Sequence, residues 1–319
     1  MQDVSVVDMN IDDFYDQLDK LYEEGDVAAV RQFLEKCARE ISEYDKHNNK
    51  AVAIYNELGS LYRSMSYYSK SVESFEKAGS EVLRKMGKNS SEYATLINNL
   101  AGTYRLRHDY DRAEELFTEA IDIYQKIGDK YSYAFASVHN NIALLYQETG
   151  QFKKAAEHLQ AALNLMESFH DDAYKHEIAV TYSNLTALYH KIGDDDKARK
   201  CLDKALSIFE SLDDKENVHY AAALNSLAGF LYAQGDYHKA IETYHKAADY
   251  TRYFFGENVE YGIAYQSMYW SYLKLGNLNS ARECLEEAYR VYRNLFGPDN
   301  EKTRMVEDEL SRLKTEKTG

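Results

Sequence analysis

Apolar residues fall at i, i+3, i+4 and i+7 in one segment after another along this chain, and the pattern as a whole recurs. Six alanines, Ala78, Ala120, Ala162, Ala205, Ala247 and Ala288, mark its period, standing 42, 42, 43, 42 and 41 residues apart. A unit of about 40 residues with a small residue at fixed phase predicts an array in which each unit buries its apolar face against its neighbours. Such an array grows by addition, so a single elongated domain over residues 1–319 is expected.

The turn residues Gly25, Ser66, His108, Gly150, Gly193, Gly235 and Gly276 set the phase of seven units, at about 11–46, 49–89, 90–130, 131–172, 174–215, 217–256 and 258–297. Each unit reads as two helices. Helix A precedes the turn, as in the segment from Ala136 to Tyr146, and helix B follows it, with Ala155, Leu159 and Ala162 on one face. This small-large-small stripe returns as Ala113, Phe117, Ala120; Ala198, Leu202, Ala205; Ala240, Tyr244, Ala247; and Ala281, Leu285, Ala288. Helix B is expected to end on left-handed residues at Gly87, Gly128, Gly256 and Gly297, with Asp171-Asp172 and Asp213-Asp214 standing in for glycine. Pro298 and Asp299 then open a last helix over 299–316, whose Val306, Leu310 and Leu313 share a face and cap the open end.

Composition narrows the class. One proline, few glycines and an abundance of Ala, Leu, Glu, Lys and Tyr predict an all-α protein. The 53 acidic against 38 basic residues give a net charge of −15, which argues against nucleic acid as a partner, because neutralising phosphate requires a basic face. No run approaches a membrane span or a signal peptide, so no membrane partner is expected and a cytoplasmic location is. Cys37, Cys201 and Cys284 are too scattered for a disulfide framework. There is no phosphate-binding glycine loop and no Cys-x-x-Cys, and His176-Glu177 lacks the second histidine of a zinc motif. We therefore expect no catalytic residues, no metal and no cofactor: a binding protein, not an enzyme.

In the second unit Tyr55, Leu58, Gly59, Tyr62, Tyr68, Phe75 and Ala78, and in the third Ile97, Leu100, Ala101, Tyr104, Tyr110, Ala113, Phe117 and Ala120, follow a known order. It resembles the tetratricopeptide repeat (TPR), with Ser71 in place of one alanine and Leu231 in place of one tyrosine. The period exceeds the usual 34 by about eight residues, roughly one extra turn per helix. With Asn-Asn-Leu-Ala from Asn98 and Asn-Asn-Ile-Ala from Asn140, it looks like the repeat domain of the kinesin-light-chain subclass. No heptad segment precedes the repeats, so that subclass's motor-binding role is not carried over. The resemblance implies a right-handed superhelical α-solenoid whose A helices line a concave face that captures a protein or an extended peptide.

On that face the paired positions before the Leu-small step are Asn56-Glu57, Asn98-Asn99, Asn140-Asn141, Ser183-Asn184, Asn225-Ser226 and Gln266-Ser267. One turn on stand Ser60, Gly102, Leu144, Ala187 and Gly229, which leave room above the amides. A carboxamide both donates and accepts, so such a ladder can satisfy the backbone of an extended peptide; the same amides could instead bond each other and set the repeat spacing. Further along come Arg63, Arg105, Gln147, His190, Tyr232 and Trp270, a drift from basic to aromatic. The arginines suit acidic groups or a neighbouring carboxylate, and the aromatics an apolar anchor. Among the 29 tyrosines, Tyr93, Tyr133, Tyr220 and Tyr261 lie near helix-A starts and are candidates for the surface. Two other readings stand beside peptide capture. One is a self-associating protein, a homo-oligomer whose groove takes a neighbour's C-terminal helix or tail, Lys314 to Gly319; the other is a peptide-responsive regulator without a DNA-binding domain.

Overall fold

The computed structural model describes residues 9–44, 50–128, 133–212 and 218–315. Its A-to-B turns follow one backbone rule. All seven phase-marking residues have positive φ, from 62° at Ser66 to 83° at Gly193. After six of them the next residue's N–H reaches back five residues to a helix-A carbonyl, as Tyr67 does to Tyr62 (2.8 Å), Gln151 to Tyr146 (2.7 Å) and Asp194 to Tyr189 (2.9 Å). This closes the C-terminus of helix A. The same residue begins helix B, and at Asp194, Asp236 and Asn277, though not at Asp109, its side chain caps the new helix: Asp194 accepts from Lys197 N (3.1 Å) and Asn277 from Ser280 N (3.2 Å).

The chain forms two compact units, Met1–His170 and Asp171–Gly319. The first holds four helical hairpins: α1 (Ile11–Glu23) with α2 (Val27–Tyr44), α3 (Ala51–Ser64) with α4 (Tyr68–Lys85), α5 (Ser91–Leu106) with α6 (Tyr110–Ile127), and α7 (Tyr133–Glu148) with α8 (Phe152–Ser168). The second holds three hairpins and one further helix. These are α9 (Lys175–Ile192) with α10 (Asp195–Ser211), α11 (Val218–Ala233) with α12 (Tyr237–Phe255), α13 (Val259–Lys274) with α14 (Leu278–Phe296), and then α15 (Glu301–Thr315). The described residues contain no strand.

The alanine column is the packing seam. Ala78, Ala120, Ala162, Ala205, Ala247 and Ala288 are all fully buried, and Cys37 occupies the equivalent place in α2. The large residue between the small ones fills the space they leave; Phe117, fully buried, contributes roughly 1.5–3 kcal/mol by leaving water. Close approach also needs Gly59, because a Cβ there would lie 2.9 Å from the ring of Phe75. Ser71, the departure from alanine, earns its place through its hydroxyl, which donates to the Gly59 carbonyl (2.8 Å) and lies 3.0 Å from Thr103 Oγ1. Successive hairpins are tied by tyrosines of helix A that donate to a glutamate on the preceding helix B, Tyr62 to Glu35 (2.8 Å) and Tyr146 to Glu114 (2.7 Å).

Three local expectations need correction. At the end of α8 the left-handed residue is His170 (φ 50°), while Asp171 is extended and caps a 3-10 turn at Asp172–Tyr174 by accepting from Ala173 N. An Asp followed two residues on by a free N–H does better as a cap than as a left-handed residue. The last helix begins at Glu301, not at Asp299, because Asn300 takes the capping position and accepts from Lys302 N (3.0 Å). Tyr261 is not a surface residue: it is 1% exposed and its hydroxyl donates to Glu287 (3.0 Å). Asp213-Asp214 and the tail after Thr315 lie outside the described residues. Val306 and Leu310 are buried against the second unit, as a capping helix requires, and Tyr269 donates to Glu309 of α15 (2.7 Å).

Candidate functional site

In the first unit the paired amides bond across neighbouring A helices. Asn99 Nδ2 donates to Asn56 Oδ1 (3.1 Å), and one repeat on Asn141 Nδ2 donates to Asn98 Oδ1 (3.1 Å). Asn56 in turn donates to Glu57 (3.4 Å), a carboxyl whose pKa burial raises. Each rung uses one of the two N–H groups of an amide, so Asn99 and Asn141, both half-buried, keep a second donor. Asn98 is buried at 5% exposure, which leaves its oxygen to the rung alone, and Asn140 Oδ1 is buried without a hydrogen-bond partner.

Toward the C-terminal ends of the same helices lie the two arginines. Arg63 Nη1 donates to the Asn99 carbonyl (3.2 Å), and its guanidinium stands 5.8 Å from the Phe75 ring centroid. Arg105 pairs with Glu148 of the next A helix. Burial, and then the charge of Arg105, lower the pKa of Arg63. Gly102 is less a vacancy than a seat: a Cβ there would approach Arg63 Nη1 to 3.1 Å. Leu144, in the same column, is 40% exposed.

At the opposite ends of these helices is a feature that sequence reasoning missed, a cavity of about 650 Å³ with mainly apolar walls. Ile11 and Tyr15 of α1, Val52 and Asn56 of α3, Met86 after α4 and Thr95 of α5 surround it. Ile11, Tyr15 and Met86 are 37%, 38% and 55% exposed.

The second unit builds its helix-A face differently. Asn184 and His190 are exposed, and His190 Nδ1 lies 3.0 Å from Asp195. Asn225 Nδ2 donates to Glu260 of the next A helix (3.2 Å), while its Oδ1 is buried without a partner. Ser183 and Ser226, at the paired positions, bond carbonyls of their own helices, Ala179 (3.1 Å) and Ala222 (3.0 Å). Tyr232 is half-buried, edge-on to Tyr237. Trp270 is 44% exposed, but it does not continue the Arg63–Tyr232 column. It stands six residues before its left-handed turn residue Gly276, in phase with Gly102 and Gly229, and Leu273 takes the place three before the turn. The tryptophan thus fills the column that holds Ser60, Gly102, Ala187 and Gly229 in other repeats, where Leu144 is the one other large residue.

Among the described residues no three His, Cys, Asp or Glu side chains converge to hold a metal ion, and no helix is long and apolar enough to cross a membrane. The cysteines are buried, which pushes the Cys37 and Cys284 thiols up to about 12. Two histidines, His139 and His158, meet with their Nδ1 atoms 2.9 Å apart; burial, and then His158, lower His139 to about 4.

The described geometry matches known repeat proteins. BtubC (BKLC) from P. vanneervenii is 26% identical, with 64% of this chain and 81% of that one covered and a TM-score of 0.57. A signal transduction ATPase with numerous domains and a tetratricopeptide repeat sensor, PH0952 from Pyrococcus horikoshii, superimposes with a TM-score of 0.73 at 15% identity, covering 96% of this chain and 44% of that longer one. A Rap protein complexed with competence and sporulation factor gives 0.54 at 17% identity over 89% of this chain and 80% of that one. The last two likenesses concern the fold. No curated protein matches the sequence. The family model of the MalT-like TPR region matches residues 56–308, and with the left-handed turns, alanine seam and paired helices in place, the chain belongs to that tetratricopeptide-repeat family.

Proposed function

We propose that this chain is a binding module that captures an extended segment of a protein or peptide on the face formed by its A helices. The observation that carries the reading is the donor surplus of that face in the first unit. Asn99 and Asn141 each keep an N–H beyond their rung, and Arg63 uses one donor of its five. An extended backbone, which carries a carbonyl on every residue, can take up these donors without demanding a particular sequence. Support by analogy comes from the repeats of PH0952, described as a sensor, and from the Rap protein seen with a bound factor.

The rungs also change what the test must control. Replacing Asn99, Asn141 and Asn184 together by Ala removes ligand donors and two ties between A helices. Captured partner from a pull-down, titrated by calorimetry, is expected to bind the triple variant more than tenfold more weakly at unchanged helicity, each lost bond being worth about 0.5–1.5 kcal/mol. Unchanged affinity would sink the assignment to this face.

A further inference from the structure

Val52, Asn56 and Arg63 of α3 lie within about 40° of one another around the helix, so they form one stripe running from the apolar cavity, over the amide rung, to the arginines. Thr95, Asn99 and Gly102 continue it on α5. The two ends of the stripe want different things. The cavity end exposes Ile11, Tyr15 and Met86 to solvent beside a space of about 650 Å³. At the other end stand two guanidinium groups, of which Arg105 pairs with the carboxylate of Glu148. Arg63 has only a backbone carbonyl, and Arg105 Nε is buried without a partner. One positive charge is therefore left uncompensated at a half-buried place, which an anion would complete.

Resting on the helix-A reading above, and adding ligand chemistry and spacing to it, we propose that the first unit recognises a segment with a large apolar side chain and a carboxylate roughly 15 Å apart, the ten or so residues of helix between cavity and arginines. The apolar group enters the cavity beside Val52 and Met86, and the carboxylate bridges Arg63 and Arg105. An extended chain covers that distance in four or five residues at about 3.3 Å each. The chain's net charge of −15 does not forbid an acidic ligand, since screening beyond about 8 Å leaves the local pair to decide. Gly102 matters because its missing Cβ lets the Arg63 guanidinium lie across α5.

The test uses the full chain and fluorescein-labelled peptides in which Leu is followed by one to seven serines and then Glu, read by fluorescence anisotropy. Affinity should peak at three or four serines, and Glu→Gln in the best peptide should weaken it at least tenfold. Arg63→Gln should abolish the difference between the Glu and Gln peptides at unchanged helicity. Met86→Asp, at the far end, should weaken both peptides alike. Replacing Glu by phosphoserine separates the anion's source: a carboxylate site prefers Glu, and preference for phosphoserine overturns the carboxylate assignment. Equal binding of the Glu and Gln peptides, indifference to spacing, or no binding up to about 1 mM overturns the proposal. Equal, spacing-independent binding that is still lost on replacing Asn99 and Asn141 leaves the helix-A reading standing, whereas binding untouched by every substitution on the face removes both.

Discussion

The two units achieve the same hairpin array by opposite means. In the second, every A-to-B turn residue is glycine, and the next residue, Asp194, Asp236 or Asn277, caps helix B through its side chain. In the first, two of the four turns force Ser66 and His108 into the left-handed region, and Tyr67, Asp109 and Gln151 give no side-chain cap. What that unit lacks in local code it regains between repeats, through the Asn56–Asn99 and Asn98–Asn141 rungs and the Ser71–Thr103 contact, and within its last hairpin through the His139–His158 pair. A face stitched by amides keeps polar donors at fixed spacing. The face of the second unit offers Tyr232, Trp270 and the small Gly229 instead, a surface suited to apolar contact.

That contrast can be broken from either side. The largest effect should come from acid. Unfolded histidines titrate near 6.5 and His139 in the fold near 4, so between these values the unfolded chain binds more protons and stability falls as pH drops, levelling below about 4. His158, its pKa also lowered by burial, adds to the same loss; Glu157, Glu114 and Lys154 are the charges around it. We expect hydrogen exchange of α7 and α8 to report a loss on the order of 2–3 kcal/mol between pH 6.5 and 4, absent in a variant with both histidines replaced by Leu. Asn99→Ala with Asn141→Ala should follow, at about 2 kcal/mol in urea unfolding, because the Asn56 and Asn98 oxygens lose their donors; Asn184→Ala in the second unit should cost a few tenths.

Caps separate the units in the other direction. Asn277→Ala should destabilise α14 by about 1 kcal/mol, whereas Gln151→Ala, at the same phase in the first unit, should change exchange of α8 little. Smallest, and opposite in sign, is Ser66→Gly. It relieves a left-handed L-residue and should raise the unfolding midpoint by the equivalent of about 0.5–1 kcal/mol, a gain that the glycine turns of the second unit already contain.

The fold was open to reading because its code is local and repeated. Ala120 or Gly193 can be interpreted from a 42-residue phase and a left-handed turn without knowing what lies elsewhere in the chain. The site was open only in outline. Asn99 and Arg105 were found by asking what packing does not use, but their partners lie 43 residues away, Asn56 Oδ1 in one case and Glu148 in the other. Trp270 shows the cost of counting without the turn: phase measured from Gly276 moves it by one column. The cavity beside Met86 could not be seen at all, since it is assembled from α1, α3 and α5 and from the ends of two B helices.

Periodicity, glycine placement and the alanine column by themselves determined an all-helical array of paired helices and the face of each helix that is left over. Only the tertiary structure decided what that leftover face is: amides half-spent on each other, a cation without its anion, and an apolar hollow at the far end of the same stripe. The reason is one of range. A helix and its turn are set by residues within five positions of each other, whereas the free donors and empty volume of a surface depend on which side chains of neighbouring repeats have already met.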